Sequence, residues 1–421
     1  MRGTICIVSS GNLASNPRVL KEAAALHGAG YDVTTVVCDY SKELKDVDDE
    51  IAAEVPWKVV RVPRPFAERG ITILAGRIAR LVAAAGARLS PGLAALATGG
   101  PVSTLRRAAL AVPADLYIGH YIPGLAAAAT AARRRGAMLG FDAEDFHSGE
   151  GRGGADEDFR MKLTETVERD SLPSCAYVTT AAPMMAEAYT ATYGIAAIAV
   201  LNVFPLDMAP AAPPLVAAAD EAAGLKAYWF SQTIGADRGL QAFLQAMARS
   251  KSRVTLDVRG GNQWGDGDRL MVLARELDIA DRVSVLPKAP PREMATLAAA
   301  YDIGLSLEEV TMENRRLCLG NKIFTYLLAG VPVMMSDTPA QSAIARELGA
   351  AAEVVSLSDP AAIVAVLDRL GGSPAALAEA KSTAWRLGRD RYNWDIEKDV
   401  LVAAVDRAFA GRGRSADKVG Q

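Results

Sequence analysis

The chain has 421 residues, half of them apolar and 23% charged, with a formal net charge of −3. That length exceeds one ordinary core and suits two domains of about 200 residues each, while the composition excludes a disordered chain. The slightly acidic balance argues against a nucleic-acid binder, and three histidines (His27, His120, His147) with four widely spaced cysteines leave no Cys/His zinc pattern.

The opening MRGTICIVSSGN enters a strand at once and has no secretory apolar region, so a cytoplasmic chain is expected. No run reads as a membrane span: the longest uncharged stretch, Ala188 to Leu206, holds Gly194, Asn202 and Pro205 and reads as helix end, strand and linker. Short, almost continuously apolar runs at 4–10, 32–39, 57–62, 115–119, 137–142 and 176–180 suit a parallel sheet covered on both faces. Cys6 and Cys38 fall inside such runs and read as reduced core residues. Asn16-Pro17 opens the first helix, with Asn as its cap and Pro at its first position, and Gly28 and Gly30 stop it.

Between Arg61 and Val112 stand eight arginines (61, 64, 69, 77, 80, 88, 106, 107) against one acid, Glu68. Within 71–89, Ile71, Leu74, Ile78, Leu81 and Val82 recur at helical spacing among Arg77, Arg80 and Arg88. Such a basic amphipathic helix fits an anionic membrane surface, a site for a lipid-pyrophosphate acceptor, or an inserted helical pair packed on its own domain. At 202–224 four prolines (205, 210, 213, 214) and lost periodicity mark a linker. Strand-like runs resume at 226–231, 253–260, 282–287, 302–307, 331–337 and 352–357, with helical patterns between them. From 373 the chain reads as wholly helical, with Trp385, Tyr392 and Trp394 as candidate anchors, including onto the first domain. The expected organisation is α/β: a Rossmann-like domain over 1–205 with a basic insertion at 61–112, a linker at 206–224, a second Rossmann-like domain over 225–372 facing the first across a cleft, and C-terminal helices over 373–421.

Ligands of open parallel sheets bind beyond the carboxyl ends of the strands, so the residues after each strand matter most. After the first strand comes the small polar loop SSGNLASNPR (9–18), holding Gly11, Asn12 and Asn16; it suits close approach to a ligand or an ordinary capped turn. His120 ends the run DLYIG–H, where an imidazole can donate to a hydroxyl or bond a backbone carbonyl. Asp142, Glu144, Asp145, His147 and Glu150 crowd FDAEDFHSGE (141–150), as a site or a solvated acidic loop. In the second half Lys288 follows one strand, and Glu308 and Glu309 another. GNKIFTYLLAGVPVMMSD (320–337) then reads as a loop with Asn321 and Lys322, a short helix, a turn and a buried strand. The free N–H groups at such a helix start, with Lys322 beside them, suit a phosphate. Three Asp-x-Asp triplets (46/48, 156/158, 266/268) read as solvated acidic loops.

The 320–337 segment resembles the donor-binding helix of nucleotide-sugar-dependent glycosyltransferases of GT-B fold, family 4 in particular, with their NK-(L/I)-F-E-Y-L-x-A-G-x-P-V motif. The resemblance extends to the opening strand–loop–helix, to His120 with Ile118 in the first place of an H-x-H pattern, to a D-x-H-E-like segment in which Glu144 replaces the histidine, and to WFSQTIGADRGL (229–240). There Arg238-Gly239 stands for a Lys-Gly, and Gln232 occupies the place of an Arg. It implies a retaining transfer from a nucleotide-diphosphate sugar to a glycan or lipid-linked acceptor in cell-envelope or exopolysaccharide synthesis, without a metal or other cofactor. It further implies that Arg238 and Lys322 stabilise the leaving diphosphate, with Gly11, Asn12, Gln232, Lys288, Asn314, Asn321 and Thr325 around the donor. Glu308 or Glu309 would hold the donor sugar; His120, Asn16, Asp145 and His147 would face the acceptor. Thr325 stands where a glutamate normally holds the ribose. Gln232 and Thr325 favour the alternative of a degenerate GT-B protein that binds a nucleotide sugar or partner enzyme without catalysis; a sugar-nucleotide epimerase is the second alternative.

Overall fold

The computed structural model describes residues 2–63, 86, 90–98, 100–213 and 224–419. The expected helix over 71–89, with Arg64, Arg69, Arg77, Arg80 and Arg88, lies outside them except for Gly86, as do linker residues 214–223. The chain divides into two compact units: Met1–Val200 with Met312–Asn314 and Lys398–Gln421, and Leu201–Thr311 with Arg315–Glu397.

The first unit holds a seven-stranded parallel sheet in the order β3-β2-β1-β4-β5-β6-β7. Its strands are β1 (Thr4–Ser9), β2 (Asp32–Asp39), β3 (Lys58–Pro63), β4 (Leu116–His120), β5 (Met138–Glu144), β6 (Cys175–Thr180) and β7 (Ala197–Ala199). Burial on both faces explains their composition: Ile5, Ile7, Val36, Ile118 and Phe141 have essentially no exposed surface. Fully burying each such side chain contributes about 1.5–3 kcal/mol. None of the four cysteines forms a disulfide, and burial pushes the Cys6 thiol up to about 12. The helix Tyr121–Arg135 sits unusually close to the sheet: a Cβ on Gly124 would fall 2.4 Å from the Val8 carbonyl oxygen. Gly119 in β4 is as tight, since a Cβ there would fall 2.5 Å from the Leu125 Cα.

The second unit holds a six-stranded sheet in the order β10-β9-β8-β11-β12-β13. Its strands are β8 (Leu225–Thr233), β9 (Val254–Gly261), β10 (Val283–Leu286), β11 (Ile303–Ser306), β12 (Val333–Ser336) and β13 (Ala352–Val355). Every strand pair described in either sheet is parallel. Trp229, Phe243, Leu305 and Met334 lie in its core. Within this unit Tyr392 packs its ring on Phe324, and the Trp394 N–H donates to the Phe204 carbonyl at 2.9 Å. In the first unit, the Tyr31 hydroxyl donates to Asp406 at 2.5 Å and Phe409 packs on the Tyr31 ring.

The Asp-x-Asp triplets are not loops. Asp46/Asp48, Asp156/Asp158 and Asp266/Asp268 stand in the first turns of the helices Lys45–Glu54, Ala155–Ser171 and Asp266–Glu276, where carboxylates offset the unpaired N–H groups. Asp48 is not even solvated: it is fully buried, accepting from Asn12 Nδ2 at 2.7 Å and the Ala14 N–H at 2.8 Å. Arg61, counted with the basic stretch, is spoken for by Asp39 (2.7 Å) and Asp49. No single helix among the described residues is long and apolar enough to cross a membrane.

Candidate functional site

The order of the second sheet reverses between β8 and β11, and loops leaving such a pair diverge to make a crevice at the carboxyl edge. Arg238 lies in the turn after β8, and Glu308 stands two residues beyond β11. Arg238 Nη1 donates to Glu308 at 2.8 Å (Oε2) and 3.1 Å (Oε1). Lys322 Nζ lies 3.5 Å from Oε1, and Arg315 Nη1 also bonds Glu308. The Glu308 backbone is held from behind, its N–H donating to Ser336 Oγ at 2.9 Å. Arg315 Nη2 donates to Asp237 at 2.9 Å, and the Glu309 N–H to the Asp237 carbonyl at 3.3 Å. Three cations thus share two carboxylates, leaving an excess positive charge in a basin where Lys322, Arg315 and Glu308 are each buried. Burial pulls the Lys322 pKa below its ordinary value despite the opposing pull of Glu308, and its ammonium stands 5.3 Å over the Trp229 indole.

Backbone donors converge on the same place. Gly239 has φ +63°, and a Cβ there would fall 2.8 Å from Leu307 Cβ, so only glycine makes this turn without strain. The helices that follow, Leu240–Arg249 and Asn321–Leu328, have no side-chain cap at their starts, which leaves first-turn N–H groups for an anion. Arg238 Nε also lacks a hydrogen-bond partner. Asn321 is exposed at the first helical position, while the buried Thr325 hydroxyl donates back to the Asn321 carbonyl at 3.0 Å. Gln232 is exposed near the end of β8, and Lys288, also exposed, follows β10 with its Cε against Gly261.

In the first unit the reversal falls between β1 and β4, and Ser9, His120 and Asp142 are neighbours in register at the carboxyl edges of β1, β4 and β5. The sequence places Arg18 and Glu22 one turn apart on the first helix, and both turn inward here. Arg18 forks onto Asp142 (Nε 2.5 Å, Nη2 2.9 Å), and Glu22 bonds His120 Nε2. All four side chains are buried. Burial alone would lower the His120 pKa, but Glu22 and Asp142 outweigh it and hold it above the ordinary value. For Asp142, Arg18 outweighs burial and keeps the carboxyl low. Ligand atoms of Glu22, His120 and Asp142 lie within 4.8 Å of one another, as a metal would require. Arg18 already supplies the cation there, occupying both Asp142 oxygens.

The other residues expected on this side divide in two. Asn16 caps the first helix (Oδ1 accepting from Val19 N–H, 3.2 Å), and Asn12 spends its amide on Asp48 and on the Ser41 N–H (2.7 Å). Gly11, expected near the donor, lies in this same loop, its N–H on Ser9 Oγ at 3.4 Å. Asp145 accepts from Asn314 Nδ2 at 3.0 Å, and Asn314 Oδ1 takes the Phe146 N–H at 2.9 Å; residues 312–314 count with the first unit. His147 pairs with Glu150 (Nδ1–Oε1, 2.9 Å). Just after β4 and at the end of β5, Tyr121 (φ +58°) and Glu144 (φ +59°) are both in left-handed backbone, and the Tyr121 phenol bonds the Glu144 carboxylate. Strain of this kind is characteristic of functional edges. Arg315, Asp237, Arg18 and Glu22 escaped sequence reasoning; only the one-turn spacing of Arg18 and Glu22 gave any local signal.

Residues 14–205 match the glycosyl transferase 4-like domain family. Among solved structures, the chain is similar to sucrose-phosphate synthase from Thermosynechococcus elongatus (14% identity, 97% of this chain and 99% of that one, TM-score 0.70). It is also similar to HepE from Anabaena in complex with UDP-glucose (14%, 96% and 99%, TM-score 0.66) and to WaaG, a glycosyltransferase involved in lipopolysaccharide biosynthesis (13%, 95% and 98%, TM-score 0.60). At these identities the likeness is one of fold: two Rossmann-like domains, as in GT-B proteins. No curated protein sequence matches the chain.

Proposed function

We propose that this chain, which has a GT-B fold and whose residues 14–205 match the glycosyl transferase 4-like domain family, transfers a sugar from a nucleotide-diphosphate donor to a glycan or lipid-linked acceptor. The observation that carries the reading is the basin at the β8–β11 reversal, where Arg238 and Lys322 converge on Glu308 beside two uncapped helix starts. Charge develops on the diphosphate as the glycosidic bond breaks, and preformed donors aimed at it stabilise that charge without reorganising. The cleavage is oxocarbenium-like and the transfer retaining. Glu308, bound by cations, sets their geometry, whereas the exposed Glu309 is free to meet a donor-sugar hydroxyl. On the first unit, Glu22 and Asp142 orient His120 at the acceptor edge. The setting we propose is cytoplasmic synthesis of cell-envelope or exopolysaccharide glycans.

Because HepE is held in complex with UDP-glucose, UDP-glucose heads the panel of UDP-, GDP- and ADP-sugars to test. Release of nucleoside diphosphate in the presence of an acceptor supports transfer. Binding of a nucleotide sugar with no turnover against any acceptor would point instead to a binder without catalysis, and no binding at all would sink the assignment.

A further inference from the structure

Arg315 is the one cation of the basin that neither strand-end reasoning nor motif likeness brings there. It comes from the short helix Glu313–Leu317 and is buried, with its guanidinium divided between two carboxylates: Nη1 on Glu308, Nη2 on Asp237. A purely structural ion pair would be matched in charge, since a buried uncompensated ion costs several kcal/mol. This one is not matched. Among the described residues, the carboxylates that Arg238, Arg315 and Lys322 contact are Glu308 and Asp237, and burial has already drawn the Lys322 pKa down. The basin is short of negative charge at the place where two helix starts have no side-chain cap and the buried Arg238 Nε has no hydrogen-bond partner.

We infer that Arg315 is a second guanidinium for the donor's diphosphate, and that Asp237 is the positioning residue that aims it. The inference rests on the function proposed above and adds to it a residue and its orienting partner. In the absence of donor, Glu308 serves as the shared anion for the three cations. A diphosphate oxygen entering between Arg238 and Arg315 supplies the missing charge, and a guanidinium fork suits it better than an ammonium because it can present two parallel N–H bonds. Asp237 holds Arg315 by the other end of its fork, so the donor face is set before the ligand arrives.

The test is calorimetric titration of the full chain with UDP, GDP, ADP and inorganic pyrophosphate, alongside melting curves without ligand. Arg315→Met should weaken nucleoside-diphosphate and pyrophosphate binding by about tenfold or more, the size expected for losing a charge-assisted bond. Its ligand-free melting temperature should hold or rise, because a like-charge neighbour is removed. Arg315→Lys should recover part of the affinity, and Asp237→Asn should weaken binding less than Arg315→Met does. A drop in the ligand-free melting temperature of Arg315→Met with affinity within twofold of the parent would make Arg315 structural and overturn the inference. Loss of binding in Arg238→Ala but not in Arg315→Met would overturn it while leaving the glycosyltransferase reading intact. A parent chain that binds none of the four ligands would remove both.

Discussion

Arg238 and Glu308, 70 residues apart in sequence, meet at 2.8 Å and so tie the turn after β8 to the end of β11. That single contact joins two separate strand ends at one cationic edge. With Lys322 and Arg315 on the same carboxylate, Glu308 becomes the hub of the second unit's chemistry.

Removing Arg238 tests the hub from its most accessible side. Its side chain keeps about a quarter of its surface exposed, so Arg238→Ala should leave the melting temperature almost unchanged. Donor turnover should fall by about a hundredfold or more, the usual scale for losing one preorganised donor to developing charge. Steady-state nucleotide release with each productive sugar donor measures it, and near-parental turnover would take Arg238 out of the mechanism.

Glu308→Gln should do the opposite to the fold. Three cations would then face Asp237 alone, and breaking up a buried charge cluster costs on the order of 3 kcal/mol. Thermal unfolding should show a clear loss, and added pyrophosphate should restore more of the melting temperature in the variant than in the parent. Equal shifts in both would mean that pyrophosphate does not replace the lost Glu308 charge among these cations.

The first unit depends on Arg18. Arg18→Met strips Asp142 of its guanidinium in the interior, where the carboxylate is almost without exposed surface. A destabilisation of about 3–5 kcal/mol is expected by urea unfolding. A loss under about 1 kcal/mol would show that the Asp142 carboxylate is satisfied by protonation instead.

His147 gives stability a pH dependence. Burial pulls its pKa down, but the Glu150 carboxylate outweighs that and the folded value reaches about 9, against 6.5 for an ordinary histidine. A raised folded pKa means that the folded state holds the proton more tightly. The contribution is therefore complete below about 6.5 and lost as pH rises through about 9. Unfolding of the parent and of His147→Gln, measured from pH 6 to pH 10, should show a stability gap that narrows across this window. A constant gap would refute the pairing.

Much of this molecule follows from local pattern. The strand runs, the Asn16-Pro17 helix start, the Arg238-Gly239 turn and the Lys322 helix start are all legible, because burial on two faces, capping and a positive φ each constrain residues within a few positions of one another. The acidic triplets were misread because a run of carboxylates looks the same in a loop as in the first turn of a helix until the backbone is known. What the tertiary structure alone decided is which charges meet. Arg315 with Asp237 and Glu308, Arg18 with Asp142, and Glu22 with His120 are pairings across a sheet edge, set by strand order and register. Strand order leaves no periodic trace in sequence, and a charge facing solvent is spelled the same way as one buried against its partner.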